Sequence, residues 1–348
     1  MCESQDIRLQ RSSCLDLLRF FLCVGVVVYH YTPERPSSGP FMVIGFIVLS
    51  GFLVGRMLFR LQTFDIVAFY RKKAVRLLPM FAFAWLFGVA CRLLYWIVDD
   101  GAPPFLPPIN WGKISMVEFV DYYNMPCWYM VVEFAFLLLV PFLFALTRKR
   151  WGIALFTLLS GLFSAFLFSR IPFRTPFGGG LYFSPVARIW QFSAGILAAQ
   201  CSFSLIGAAG SRRIRTSLTL VLSVATVVLG SVLCVVKQYT TLECWNYTFV
   251  FDFACVILFS VLIPLLYDTR LNFTTQACKR IADLALLTYP VYLLHVPVRS
   301  IVLRFLGKVS VEFELEGVNE PVFVAFVSIS ATLFVAAVLL RLQKRYIG

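Results

Sequence analysis

Sixty per cent of the 348 residues are hydrophobic, only 14% are charged, and the mean hydropathy is +0.83, well above the roughly 45–50% apolar usage of water-soluble domains. Such a composition excludes a soluble globular protein and places the chain in a lipid bilayer. The formal net charge of +13 would suggest a nucleic-acid partner elsewhere. Here the lysines and arginines sit in short clusters between apolar runs of about 20 residues, so the basicity is topological and no nucleic acid is expected.

Apolar windows fall at 15–31, 41–59, 79–98, 128–147, 151–169, 185–201, 216–236, 247–267, 284–303 and 321–340. They predict an all-α polytopic membrane protein of about ten transmembrane helices. The first window follows Arg8 and Arg11 as a signal peptide would, but the segment after it, YHYTPERP, lacks a small-x-small cleavage site and is expected to stay attached. The connection with Arg60, Arg71, Lys72, Lys73 and Arg76 is strongly basic, as are RKR at 148–150, RRIR at 212–215, the Arg270, Lys279, Arg280 loop and the tail with Arg341, Lys344 and Arg345. The alternate connections hold Asp99, Asp100, Glu118 and Asp121, or Glu312, Glu314, Glu316 and Glu320. By the positive-inside rule both termini are predicted to be cytoplasmic, and an even helix count agrees.

The sixth window is interrupted by Arg188 and Gln191. The stretch 99–127 contains GAPPFLPPINWGK, whose prolines and glycines predict an irregular loop. No internal repeat, low-complexity stretch or appended soluble domain is read from the chain, so residues 1–348 are expected to form one transmembrane domain with its chemistry among the helices. The ten cysteines show no CxxC or metal-ligand spacing and read as small buried hydrophobes. Cys127 and Cys244 come out near one membrane face, but the sequence supports no pairing. No metal is predicted.

A charged group inside a span costs about 2.5–3.5 kcal/mol on insertion scales and is by default a hypothesis of function. Arg19 and His30 are 11 residues apart, nearly three helical turns, so they share a face of the first helix with Asp16. Arg19 could instead snorkel to the headgroups, and His30 could mark an aromatic belt with Tyr29 and Tyr31. Glu133, in PCWYMVVEFAF, is expected at a depth close to that of His30. A carboxylate near an imidazole can fix its tautomer and make it a competent base. Pairing of Glu133 with Arg188 is the other reading.

In FYRKKAVRLLP, Lys72 and Arg76 share a helical face just before Pro79, which is expected to begin the next span. Topology and lipid-phosphate attraction account for them, and so does a phosphate-binding patch. Ser50 and Gly51, in LSGF, permit close helix contact or leave room for a ligand. Tyr289, Tyr292 and His295 recur every three residues in a helix that Pro290 and Pro297 are expected to bend. His295 could serve chemistry, or bond a backbone carbonyl freed by the kink.

Together these stretches resemble the membrane-bound acyltransferases of acyltransferase family 3. The segment with Leu15, Asp16, Arg19 and His30 is similar to the family's opening helix, and Ile47 to Phe52 to its Ser-Gly-Phe helix. Lys72, Lys73, Arg76 and Pro79 stand at its basic cytoplasmic motif, with two lysines in place of arginines. Trp128, Tyr129 and Glu133 match its Trp-Ser-Leu-x-x-Glu segment with tyrosine for serine; Arg188, Phe192 and Gly195 match the next motif, and Tyr289, Tyr292, Leu293 and His295 the last.

The resemblance implies an enzyme of the plasma (cell inner) membrane that moves an acyl group, most often acetyl, from cytoplasmic acyl-CoA to a hydroxyl of a surface or exported polysaccharide. His30 and Glu133 would be catalytic. Arg19, Lys72, Lys73 and Arg76 would face the acyl-CoA donor, and Asp16, Ser50, Trp128, Arg188, Tyr292 and His295 would line the pocket. Expected partners are acyl-CoA, a glycan or lipid-linked sugar, and membrane lipids. A proton-coupled exporter is the rival; it predicts paired broken helices in two related halves, which the sequence lacks.

Overall fold

The computed structural model describes residues 2–31, 38–99, 123–170, 181–208, 212–239, 245–269, 273–313 and 321–346. The regular elements among them are all helices: α1 (Cys2–Tyr31), α2 (Ser38–Leu58), α3 (Ile66–Asp99), α4 (Cys127–Leu138), α5 (Val140–Thr147), α6 (Gly152–Arg170), α7 (Pro185–Ala208), α8 (Arg212–Tyr239), α9 (Trp245–Asp268), α10 (Thr275–Phe313) and α11 (Pro321–Tyr346). The all-α polytopic architecture is thus established. Cys244 and most of the predicted loop at 99–127 lie outside the described residues.

Each apolar window coincides with helix. Among the described residues seven helices are long and apolar enough to cross a membrane unaided, and an eighth span arises if α4 and α5, bent by 47° at their junction, count as one. The break sits at Leu139, just before Pro141, whose missing N–H cannot bond back to Leu137. In α8 only Thr219–Val235 forms a shorter apolar stretch. α7 carries Arg188 and Gln191, and both are buried.

One expectation changes. Pro79 does not begin a span but lies inside α3, which runs unbroken from Ile66. The basic run at 71–76 therefore forms the first turns of a helix that continues into the apolar region.

The chain divides into two compact units. The larger comprises residues up to Tyr29, Arg35–Phe64 and Ala135–Ala285. Its core joins α1, α2, α7, α8 and α9 through Leu22, Ile44, Phe52, Trp190, Phe251 and Phe259. At its centre α2 and α7 meet backbone to backbone. A Cβ on Gly51 would lie 1.9 Å from the Phe192 carbonyl oxygen, and one on Gly195 2.1 Å from that of Val48. Of the two uses sequence allowed for this segment, the fold adopts close contact, as small residues permit between helices in lipid. Leucines and phenylalanines along α6, among them Leu155, Leu158, Leu162 and Phe166, stay exposed, as a lipid-facing surface requires.

The smaller unit comprises His30–Glu34, Asp65–Phe134 and Leu286–Gly348. Within it α3 and α10 run parallel. The Tyr289 hydroxyl donates to the Leu77 carbonyl at 2.8 Å, Asn124 Nδ2 bridges the carbonyls of Ala84 (2.8 Å) and Leu293 (3.0 Å), and Arg304 lies over the Tyr95 ring at 3.7 Å. Residue numbers rise together along both helices. Pro297 has no N–H to offer the Leu293 carbonyl, and Asn124 supplies the donor instead.

Candidate active site

The two histidines of the chain, far apart in sequence, come together in the smaller unit. Their ring centroids are 5.0 Å apart with planes inclined at 46°. His30 is half-buried in the last turn of α1, whereas His295 on α10 is fully enclosed. His295 Nδ1 lies 2.7 Å from the Tyr292 carbonyl oxygen. A carbonyl can only accept, so Nδ1 carries the proton and the neutral ring presents a lone pair at Nε2. The kinked-helix account expected a carbonyl freed by proline; Nδ1 instead meets the Tyr292 carbonyl, which neither Pro290 nor Pro297 frees.

Tyr31 fixes the same segment, its hydroxyl donating to the His295 carbonyl at 3.0 Å while Arg299 lies over its ring at 5.4 Å. Aromatic contacts continue outward from the imidazoles. Tyr292 is 6.0 Å from the His295 ring, Tyr129 packs edge-on against Tyr292 at 5.5 Å, and the Tyr129 hydroxyl donates to Glu133 Oε2 at 3.5 Å. Glu133 is buried and Trp128, also buried, stands edge-on to Tyr129. His30, Trp128, Glu133, Tyr292 and His295 thus share one unit, joined by tyrosines that sequence reading placed only in motifs.

Lys72 and Arg76 are exposed on the first turns of α3, and Lys73 lies over the Phe69 ring at 5.7 Å. Gln343 of α11 reaches the Arg76 carbonyl at 3.4 Å, leaving the guanidinium outward. The parallel register of α3 and α10 sets the spacing to the imidazoles. Eight residues separate Arg76 from Ala84 and two separate Leu293 from His295, an axial rise of roughly 15 Å.

The other four predicted residues belong to the larger unit. Arg19 and Asp16 form an i, i+3 ion pair at 3.1 Å, 30% and 13% exposed, so this arginine already has a carboxylate. Ser50 is half-buried next to the Gly51 contact. Arg188, 1% exposed, donates from Nε to the Tyr182 carbonyl, from Nη1 to Gln191 Oε1 at 3.1 Å, and faces Asp252 Oδ2 at 3.9 Å. Gln191 Nε2 donates to the same Asp252 oxygen at 3.0 Å. The carboxylate partner of Arg188 is thus Asp252, where sequence had raised Glu133. Burial pushes the Tyr182 phenol up to about 12, so its ring meets the guanidinium, 4.2 Å away, as a neutral π-face.

Asp252 and Asn124 escaped the sequence reading. Asp252 carried a signal: it is a lone carboxylate in the apolar window FVFDFACVILF, balancing the lone Arg188 of another. Asn124 precedes its helix and carried none. Among the described residues no group of three or more His, Cys, Asp or Glu is placed to hold a metal ion.

Long apolar helices with an imidazole pair and a buried carboxylate folded among them define a polytopic membrane protein with ionisable groups inside its helical units. The chain matches the acyltransferase domain family over residues 12–341 and belongs to it. It is 27% identical over 209 residues to the O-acetyltransferase OatA of Staphylococcus aureus strain NCTC 8325 / PS 47, and equally to OatA of strains COL and MRSA252. The match covers 53% of this chain and 34% of each relative, so the chain spans about a third of the length of the curated relatives it matches. No solved structure matches it.

Proposed function

We propose that this acyltransferase is an O-acyltransferase of the plasma (cell inner) membrane, transferring acetyl from cytoplasmic acetyl-CoA to a hydroxyl of a surface or exported polysaccharide. The observation that carries this reading is the imidazole pair roughly 15 Å along one unit from an exposed basic helix start. Lys72, Lys73 and Arg76 are suited to the donor's phosphates. The donor's flexible arm would carry the thioester along α3 and α10 towards His30. The relatives' O-acetyltransferase activity supports acetyl as the group moved.

In this reading the basic helix starts and both termini are cytoplasmic. His30 is the general base. It takes the proton of the acceptor hydroxyl as the oxygen bonds to the thioester carbon; the C–S bond then breaks, and the leaving thiolate recovers the proton from the imidazolium. Glu133, at the far end of the tyrosine chain, contributes the negative charge that favours protonated His30.

The test is the alkali-labile acetate on envelope glycans of a deletion strain complemented with wild-type or His30→Ala protein. The expected result is acetate restored by the wild type alone, with both proteins present equally in the membrane. Full restoration by the variant would remove His30 from the chemistry. Absence of ester in the wild-type strain, with another modification lost on deletion, would replace the substrate class.

A further inference from the structure

His295 has a free valence that its packing does not consume. Its Nε2 is buried and has no hydrogen-bond partner among the described residues. A buried polar atom left unpaired costs about 1–3 kcal/mol, yet the ring is held in this pose from two sides, by Nδ1 on the Tyr292 carbonyl and by Tyr31 on its own carbonyl. The ring is fully enclosed in this structure. The nearby His30 is the accessible member of the pair.

The ring spacing suits a nitrogen-to-nitrogen contact. A hydrogen bond of about 2.9–3.0 Å plus two centroid-to-nitrogen distances of roughly 1.1 Å gives about 5 Å, and the observed separation is 5.0 Å. The ring planes are inclined at 46°, and rotation of His30 about its χ2 torsion would aim an N–H at Nε2. His295, pinned on both sides, is not the ring that moves.

We propose that His295 is the positioning residue of this site: its Nε2 lone pair receives the N–H of His30, fixing His30 in the tautomer whose other nitrogen points its lone pair at the acceptor hydroxyl. The assignment rests on the reading of His30 as the base. When His30 takes the hydroxyl proton, the imidazolium keeps its hydrogen bond to Nε2, and the proton it gained leaves with the thiol. His295 changes no protonation state and forms no covalent bond.

The presence of only two histidines makes the test direct. Full-length protein labelled with 15N-histidine is reconstituted in phosphatidylethanolamine–phosphatidylglycerol vesicles as wild type, His295→Gln and His295→Asn. The ring-nitrogen shifts then report the tautomer of His30, assigned with His30→Gln. Glutamine can set an acceptor oxygen near the place of Nε2, whereas asparagine reaches only the place of Nδ1. The expected result is one His30 tautomer in the wild type and the Gln variant and a mixture in the Asn variant, whose alkali-labile acetate falls about tenfold or more while the Gln variant retains most of it.

A single, unchanged His30 tautomer in both variants would overturn the proposal, as would equal acetate from both. If the Asn variant does not fold, a tautomer mixture in the folded Gln variant overturns it alone. Wild-type acetate from His30→Ala, alongside the expected tautomer pattern, would remove the base reading and leave the positioning intact.

Discussion

The Arg188 cluster of the larger unit and the imidazole pair of the smaller one are both ionisable groups folded into apolar helices, but they differ in how their charge is met. Arg188 faces a carboxylate, an amide and an aromatic ring on neighbouring segments of one unit, and the amide of Gln191 bonds the same carboxylate, although Arg188 Nη2 has no hydrogen-bond partner among the described residues. His30 and His295 face each other, and one lone pair is left over. A buried charge compensated by its neighbours ties helices together. In the proposed reading the spare lone pair of the enclosed His295 holds the more accessible His30, and His30 is the base.

Removing one member of the compensated cluster should give the largest effect on the fold. Arg188→Ala leaves Asp252 without its cation and is expected to cost about 3–5 kcal/mol, read as a lower unfolding midpoint in detergent. The pair Arg188→Met with Asp252→Leu should recover much of that loss, because no lone charge stays buried. A double variant as unstable as the single would show that the cluster does more than balance charge.

Gly51→Ala attacks the same unit through sterics. Its methyl would meet the Phe192 carbonyl at 1.9 Å, and the forced separation of α2 and α7 should cost about 1–3 kcal/mol, seen in the same melting experiment. In the smaller unit Glu133→Gln should leave the midpoint nearly unchanged while cutting acetylation about tenfold, since only a remote charge on the imidazoles is lost. A shift in stability equal to that of the Arg188 variant would erase the contrast between the units. The smallest change is expected from Arg76→Ala, an exposed group: acetyl-CoA binding, titrated on purified protein, should weaken a few-fold, and more steeply at low salt.

What sequence could and could not disclose follows from the range of each interaction. Apolar length is local, so every window became helix, the one interrupted by Arg188 and Gln191 included. The three motifs carrying His30, Glu133, Tyr292 and His295 were visible one by one, and these four residues fold into one unit. Their meeting depends on the register of α10 beside α3 and on Tyr129 and Tyr31, which no periodicity within a single helix specifies. The Gly51 segment offered contact or cavity equally, and only the partner helix with its own Gly195 decided. Pro79 was read as a helix start by its usual preference, yet α3 runs through it although Val75 and Leu78 in the turn before it are exposed.

Asn124 spends both amide hydrogens on carbonyls of two different helices, one of them the carbonyl that Pro297 leaves without a donor. That amide acts as a register pin. Sliding α10 by one residue would turn it by about 100°, withdraw the Leu293 carbonyl from the amide and carry the His295 ring away from His30. Alignment of the imidazoles is therefore inherited from a residue whose amide bonds are to the backbone of α3 and α10, and a kink that weakens a helix on paper becomes the point at which that helix is indexed.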